Sequence, residues 1–438
     1  MSIGIVGGGL MGLSLAYFLS QQGEQVTVLE QSAELGGLNG EIAFDDGLSL
    51  ARYQHAILPQ DTVIRQLCAQ LGLADDLVFY DIRTGFIHDN QLHPLSSSVD
   101  FIKFAPLSLP SRLRLGLALL QARREHNWQT LDTITVKTWL LRIGGSETFE
   151  RIWRPLLEAK FDSLYDQVPA TFIWAWMNRM MAIRRGPGLR GKVGYLKRGH
   201  YALIRAMAQA VQSRGGNIQT LARVREIEVH GNLVGRVRTH SGTFQFDTVI
   251  AAVPTPVFSL LIPGAHDDYL QQLAGDRYLG LICPVLVLDR PLTGYWTLNI
   301  TDPNSPFSSI IETPHPEWEG RYIVYLPRYT ASDNDWMGVS DDDILSAWLE
   351  HLQRIFPHFD THQIQHQAVS RSRYVEPIYG VNAGRAGRQA ETPYQGLYLA
   401  NTTLVYPELP TSEAVVIFAR RLAQTILQRQ IERVALAS

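Results

Sequence analysis

The chain has 438 residues, 45% hydrophobic and 18% charged. That supplies a large core, excludes a disordered chain and leaves room for two or three domains at about 150 residues each. Lys and Arg number 39 against 42 Asp and Glu, a net charge of −3, which argues against a nucleic-acid partner, whose phosphates demand a basic excess. Two cysteines, Cys68 and Cys283, build no disulfide framework and match no zinc spacing, so a reducing, cytoplasmic setting without a metal centre is expected.

The apolar start, Met1 to Leu19, has no positively charged leader and is centred on a glycine cluster, which reads as part of a fold and not as a signal peptide. Ser2 to Val6 reads as a buried strand, Gly7-Gly8-Gly9-Leu10-Met11-Gly12 follows, Leu13 to Gln22 has helical periodicity, and a second strand, Gln25 to Leu29, ends in Glu30. Gly7, Gly9 and Gly12 have the G-x-G-x-x-G spacing: a tight turn, close approach of a pyrophosphate, and close packing of helix on strand. The helix N-terminus faces the phosphates with unpaired N–H groups, and Glu30 stands where it can accept bonds from an adenosine ribose. An acid there disfavours the extra phosphate of NADP.

Just beyond Glu30, Glu34-Leu35-Gly36-Gly37 adds a second glycine pair. With it the chain resembles the FAD-dependent amine oxidase superfamily, especially its protoporphyrinogen oxidase-like and phytoene desaturase-like branches. The resemblance implies FAD as cofactor, contacted by Gly7, Gly8, Gly9, Leu10, Met11, Gly12, Glu30, Gln31, Gly36, Gly37 and Leu38, with Leu38 standing where an arginine is common. Further on, Tyr53-Gln54-His55 resembles the Tyr-x-His segment close to the flavin ring, which makes His55 a candidate for proton transfer.

The next stretch reads as largely helical: a helix capped by Asp61 and ended by Gly72, then Pro110 to Glu125, Gly145 to Phe161 and Pro169 to Arg185. Leu109 to Arg124 mixes leucines with arginines, and the resemblance implies a region that in some relatives dips into a membrane, so the segment 109–125 is a candidate either for an amphipathic helix packed on the substrate domain or for peripheral membrane contact. No carboxylate stands between Asp166 and Glu226, yet Arg179, Arg184, Arg185, Arg190, Lys192, Lys197, Arg198, Arg205, Arg214, Arg223 and Arg225 do. Either partners come from elsewhere in the fold, or the stretch forms an electropositive rim that attracts an anionic substrate.

A hairpin is expected over Ala222 to Val229 and Leu233 to Thr239, followed by a buried strand over Phe246 to Val253. The resemblance puts the backbone of Val224 against the adenine. Strands then follow at Pro284 to Leu288, Ser308 to Thr313 and Tyr322 to Leu326, and a helix at Asp341 to Phe356. Glu312, a carboxylate on an apolar strand, is a catalytic candidate, and Arg328 and Tyr329 are similarly placed. Near the end, Gly396 to Asn401 reads as a strand and Ser412 to Gln428 as an amphipathic helix. The resemblance places Asn401, Ser412, Glu413 and Ala414 at the flavin, with Ala400-Asn401 where the family has Gly-Asp, and Tyr406 beside the ring.

The expected fold is α/β: a discontinuous Rossmann-like FAD domain (1–53, 191–257 and 375–438) with an α+β substrate domain of mixed sheet and helices (54–190 and 258–374). The implied activity is transfer of a hydride from a C–N or C–C bond of a small anionic or apolar substrate to flavin N5, with oxygen or another acceptor completing turnover. Two alternatives share the scaffold: a redox-neutral sugar-nucleotide mutase-like enzyme and a non-catalytic FAD-binding protein. No Ser-His-Asp, P-loop, H-E-x-x-H or metal-cluster motif competes.

Overall fold

The computed structural model describes residues 2–183, 191–263, 268–313 and 320–437. Its first sheet is parallel and five-stranded, in the order Leu397–Leu399, Thr248–Ala251, Ser2–Val6, Gln25–Leu29, Asn217–Gln219. The strand Ser2–Val6 is central, pairing Val6 with both Leu29 and Ala251, as the glycine motif requires of the strand that delivers it. Helix Leu10–Ser20 is buried on nearly every side because it is clamped between the sheet, helix Tyr201–Ser213 and the C-terminal helix Ser412–Ala437. Leu13, Leu15, Leu203, Ile204, Val416 and Ala419 share that core. Ile64, Leu67 and Cys68 join it, so helix Thr62–Gln70 packs on the dinucleotide unit although the sequence partition at residue 53 assigned it to the other domain.

A second, eight-stranded mixed sheet is organised around Tyr278–Leu288. Every residue of that strand is buried, because Ile282, Leu286 and Leu288 pack toward helix Asp341–Ile355 while Leu281, Cys283, Val285 and Val287 pack toward Leu50, Tyr53 and Tyr325. The strand begins at Tyr278 and not at Pro284, and Pro284 is tolerated inside it for a local reason. On one edge the partner changes from Arg328–Ala331, paired as far as Ile282, to Tyr322–Tyr325, paired from Val285. The missing N–H of proline falls in that gap. Along the other edge runs Ile364–Pro377, a strand the sequence pattern did not announce.

Helices Leu109–Arg124, Val136–Gly144, Arg154–Phe161 and Ala170–Ala182 cover one side of this sheet around Trp139, Phe149, Trp153 and Phe161. A π-helical turn, Phe149–Trp153, leads into Arg154–Phe161. Among the described residues no helix is long and apolar enough to cross a membrane.

Candidate functional site

Two glycine segments lie side by side at the end of the central strand. Gly36 N–H donates to the Gly8 carbonyl at 2.8 Å, and Gly9 bridges Gly36. Gly7 has φ +108°, a conformation that side chains resist, and a Cβ there would stand 2.7 Å from the Ala252 carbonyl. A Cβ on Gly12 would overlap the Gly7 carbonyl, so this glycine serves the packing of helix on turn. Gly9 differs: a Cβ there finds nothing nearer than the Gly36 carbonyl at 3.9 Å. The helix that starts after Gly9 has no side-chain cap, which leaves its first N–H groups for another acceptor. Leu10 and Met11 turn their side chains into the core.

Glu30 is buried, its Oε2 accepting from Gly8 N–H at 2.7 Å and its Oε1 from Ser32 N–H at 2.8 Å. Its carbonyl accepts from Ala222 N–H at 2.7 Å, which brings the start of the hairpin strand Val224–His230 beside it, and Val224 packs with Val6 and Leu29. Gln31 is exposed. The N-terminal residues and Val224, far apart in the chain, therefore converge.

Half-buried His55 stands beside buried His200, ring centroids 4.9 Å apart. Since a carbonyl only accepts, its Nε2–H donates to Leu38 O at 3.0 Å. Burial holds the pKa of His55 below the ordinary histidine value against that hydrogen bond, and burial, then the neighbouring His55, holds His200 well below it. Both rings are neutral at neutral pH. His200 Nε2 lies 3.4 Å from Ser412 Oγ, so Leu38, His55, His200 and Ser412 form one chain of contacts across the site.

Several expected site residues are engaged in structural bonds. The Glu413 carboxylate accepts from Val63 N–H at 3.0 Å and Ile64 N–H at 2.7 Å, capping helix Thr62–Gln70. Ala414 N–H instead bonds Thr411 Oγ1 at 3.3 Å. Asn401 donates to the Val253 carbonyl at 2.9 Å and accepts from Thr403 N–H at 3.0 Å, so its amide locks the turn after the last strand. Glu312 accepts from Thr293 N–H, Thr293 Oγ1 and Gly294 N–H at 2.8, 2.9 and 3.0 Å and holds that turn. Tyr406 donates to Asp132 and packs on Tyr379 and Trp128, centroids 4.5 and 5.9 Å away. Burial, then the Asp132 carboxylate, keeps its phenol protonated.

Among the described residues, Arg179, Lys192, Arg198 and Arg205 of the basic stretch stand beside carboxylates. Asp61, expected to cap its helix, forms a bidentate pair with Arg179 at 2.8 and 2.9 Å. Lys192 lies 3.7 Å from Asp81, Arg198 pairs with Asp76 and Arg205 with Glu41. Arg214 lies over the Tyr17 ring, whereas Arg223 and Arg225 are exposed. Arg184, Arg185 and Arg190 lie outside the described residues.

Between the helical layer and the mixed sheet is a cavity of about 410 Å³. Phe86, Leu115, Trp153, Phe172, Trp176 and Met177 give it an apolar wall, and Tyr329 and Lys160 also line it. Arg328, next to Tyr329, instead donates to the Pro306 carbonyl at 3.1 Å and lies over Trp336.

Residues 10–426 match the flavin containing amine oxidoreductases. The chain belongs to that family. The 15-cis-phytoene desaturase of Synechococcus elongatus is 25% identical to it over 468 aligned positions, 99% of this chain and 97% of the desaturase. A putrescine oxidase solved with putrescine bound superposes with TM-score 0.73 at 16% identity, covering 98% of this chain and 99% of that one. A reduced UDP-galactopyranose mutase superposes with TM-score 0.76 at 12% identity, covering 98% and 94%. At these identities the two structures establish the fold alone.

The protein is thus an FAD-dependent oxidoreductase of this family, and its cradle fits that cofactor. Open space lies over Gly9, the helix N-terminus lacks a side-chain cap, and a buried carboxylate stands at the end of the second strand. Sequence reasoning missed His200 and Lys160. For Lys160 a signal existed: it continues the apolar series Ile152, Trp153, Leu156 and Leu157 at helical spacing, where a charge is out of place.

Proposed function

We propose that the enzyme dehydrogenates a C–C or C–N bond of a predominantly apolar substrate held in the cavity lined by Phe86, Leu115, Trp153, Phe172, Trp176 and Met177. FAD, when bound, supplies the hydride acceptor, flavin N5. In this reading the uncapped N–H groups that open helix Leu10–Ser20 hold the diphosphate, Gly9, Gly36 and Gly37 leave room for its approach, Glu30 accepts from the adenosine ribose, and Val224 meets the adenine through its backbone. The neutral His55–His200 pair fixes the Leu38 carbonyl and the start of the last helix without adding charge beside the ring. The cavity walls orient the substrate and exclude water.

The observation that carries this proposal is the cavity itself, an aromatic and aliphatic chamber walled by the helical layer and the sheet, suited to an apolar ligand. Kinship with a desaturase along nearly the whole chain supports a C–C bond. The test is anaerobic mixing of the FAD-loaded enzyme with polyenes, porphyrinogens and amines while the flavin spectrum is followed. An apolar compound should reduce the flavin, and Leu119→Trp, which fills part of the cavity, should slow that reduction while leaving FAD affinity unchanged. Turnover that needs reduced flavin but consumes no acceptor would point instead to mutase chemistry.

The helix lining the cavity also supports substrate delivery from a lipid surface. Leu115 and Leu119 face the cavity, while Leu109, Leu113, Leu117 and Leu120 form an exposed stripe with Val99 and Ile102. Lys103, Arg114, Arg123 and Arg124 are exposed around it, a pattern suited to an interface with anionic lipid.

A further inference from the structure

Lys160 is the one charged side chain among the described residues that line the cavity, and its surroundings are built around its charge. Its Nζ donates to Glu376 Oε2 at 2.7 Å, and it lies 4.1 Å from the Tyr329 ring centroid and 5.4 Å from that of Phe172. Glu376, near the end of strand Ile364–Pro377, is buried and does not line the cavity, whereas Lys160 and Tyr329 do. Lys160 therefore stands between the buried carboxylate and the cavity. An ammonium has three donors; Glu376 takes one, and the rings offer only their faces.

A buried ion pair is seldom the cheapest way to fill an apolar wall, since each ion loses its hydration. Leu156 and Leu157 fill the preceding turn of the same helix face without that cost. Burial opposes the charge on Lys160, but Glu376 and Tyr329 outweigh it and its pKa stands above the ordinary lysine value. We propose that Lys160 is the polar anchor of the cavity, and that the substrate has an apolar body ending in a carboxylate or another strong hydrogen-bond acceptor, which meets the ammonium while Glu376 holds it from behind. A cationic amine is disfavoured there, because its ammonium would face a like charge. This inference rests on the reading of the cavity as the substrate site.

The test is calorimetric titration of the FAD-loaded enzyme with decanoate, decanol and decylamine. Decanoate should bind at least about tenfold more tightly than decylamine, with decanol between, as expected for a charge-assisted hydrogen bond away from bulk water. In the double variant Lys160→Met with Glu376→Gln, which removes both charges without orphaning the carboxylate, that preference should vanish; Lys160→Arg should retain it. Equal binding of decylamine and decanoate to the wild type, or a preference that survives in the double variant, overturns the proposal. If the double variant does not fold, the wild-type series alone decides. Because the titration reads binding and not turnover, the two proposals fail separately. An enzyme that prefers decanoate but reduces its flavin with no apolar compound keeps the anchor and loses the reaction; one that oxidises an apolar amine without preferring decanoate does the reverse.

Discussion

Replacing Gly9 by valine should separate cofactor binding from folding. Gly9 has φ −74° and ψ −179°, backbone that any residue adopts, and the nearest atom to a Cβ built there is the Gly36 carbonyl oxygen at 3.9 Å. The apoprotein should therefore lose no more than about 1 kcal/mol, since an unstrained replacement of glycine also narrows the unfolded ensemble. In the same space the diphosphate must reach the amides that start the first helix. Losing two charge-assisted bonds there costs about 3 kcal/mol or more, a drop in FAD affinity of at least about a hundredfold. Gly12→Ala is the contrast. Its methyl group would overlap the Gly7 carbonyl, so it should destabilise even the apoprotein by about 1–3 kcal/mol. Urea unfolding of the apoproteins and FAD titration by absorbance make the comparison. A Gly9→Val protein that binds FAD with wild-type affinity would refute the assignment of this turn to the diphosphate.

Glu30→Gln should weaken FAD binding by about 1–3 kcal/mol, the worth of charge-assisted bonds at the ribose; an unchanged dissociation constant would remove Glu30 from that role. Glu147 holds the start of helix Leu109–Arg124 by accepting from Ser108 Oγ, Ser111 Oγ and Ser108 N–H, which push its pKa down from 4.5 to about 2. A depressed carboxylate stabilises the fold above its unfolded pKa and loses that contribution as pH falls. Glu147→Gln should thus cost about 1 kcal/mol at neutral pH, and the difference from wild type should fade as pH falls from 4.5 toward 2; a difference independent of pH would contradict this. Leu113→Glu with Leu117→Glu should abolish co-sedimentation with anionic liposomes and leave thermal stability within about 0.5 kcal/mol, and wild-type binding by the double variant would remove this stripe from lipid contact.

The cofactor segment was legible because its signals are local: strand, glycine spacing, helix and acid lie within thirty residues of one another, and each residue type answers to a backbone constraint. Residues whose partners lie far away were less legible. Glu413, placed at the flavin by the resemblance, has its carboxylate on the N–H groups of Val63 and Ile64, some 350 positions earlier in the chain. The basic stretch left two readings open, distant partners or a free field, because the carboxylates that pair with it, Asp61, Asp76 and Asp81, precede Arg179, Arg198 and Lys192 by more than a hundred residues. Strand Ile364–Pro377 mixes polar and apolar residues because it is half-buried, and only its pairing with Tyr278–Leu288 fixes it as a strand. Glu312 stands out on an apolar strand, and its carboxylate accepts from the Thr293–Gly294 turn, a contact that the local sequence does not announce.

The central claim, oxidation of an apolar substrate in the cavity, is tested most directly by following the flavin spectrum of the FAD-loaded enzyme during anaerobic stopped-flow mixing. The panel should include a polyene, a carboxylate-bearing porphyrinogen and putrescine, each run with wild type and Leu119→Trp. Loss of the oxidised-flavin band with the porphyrinogen or polyene, slowed in the variant, and no response to putrescine is the expected result. Reduction by putrescine at the same rate in both proteins, with no response to either apolar compound, would contradict the account.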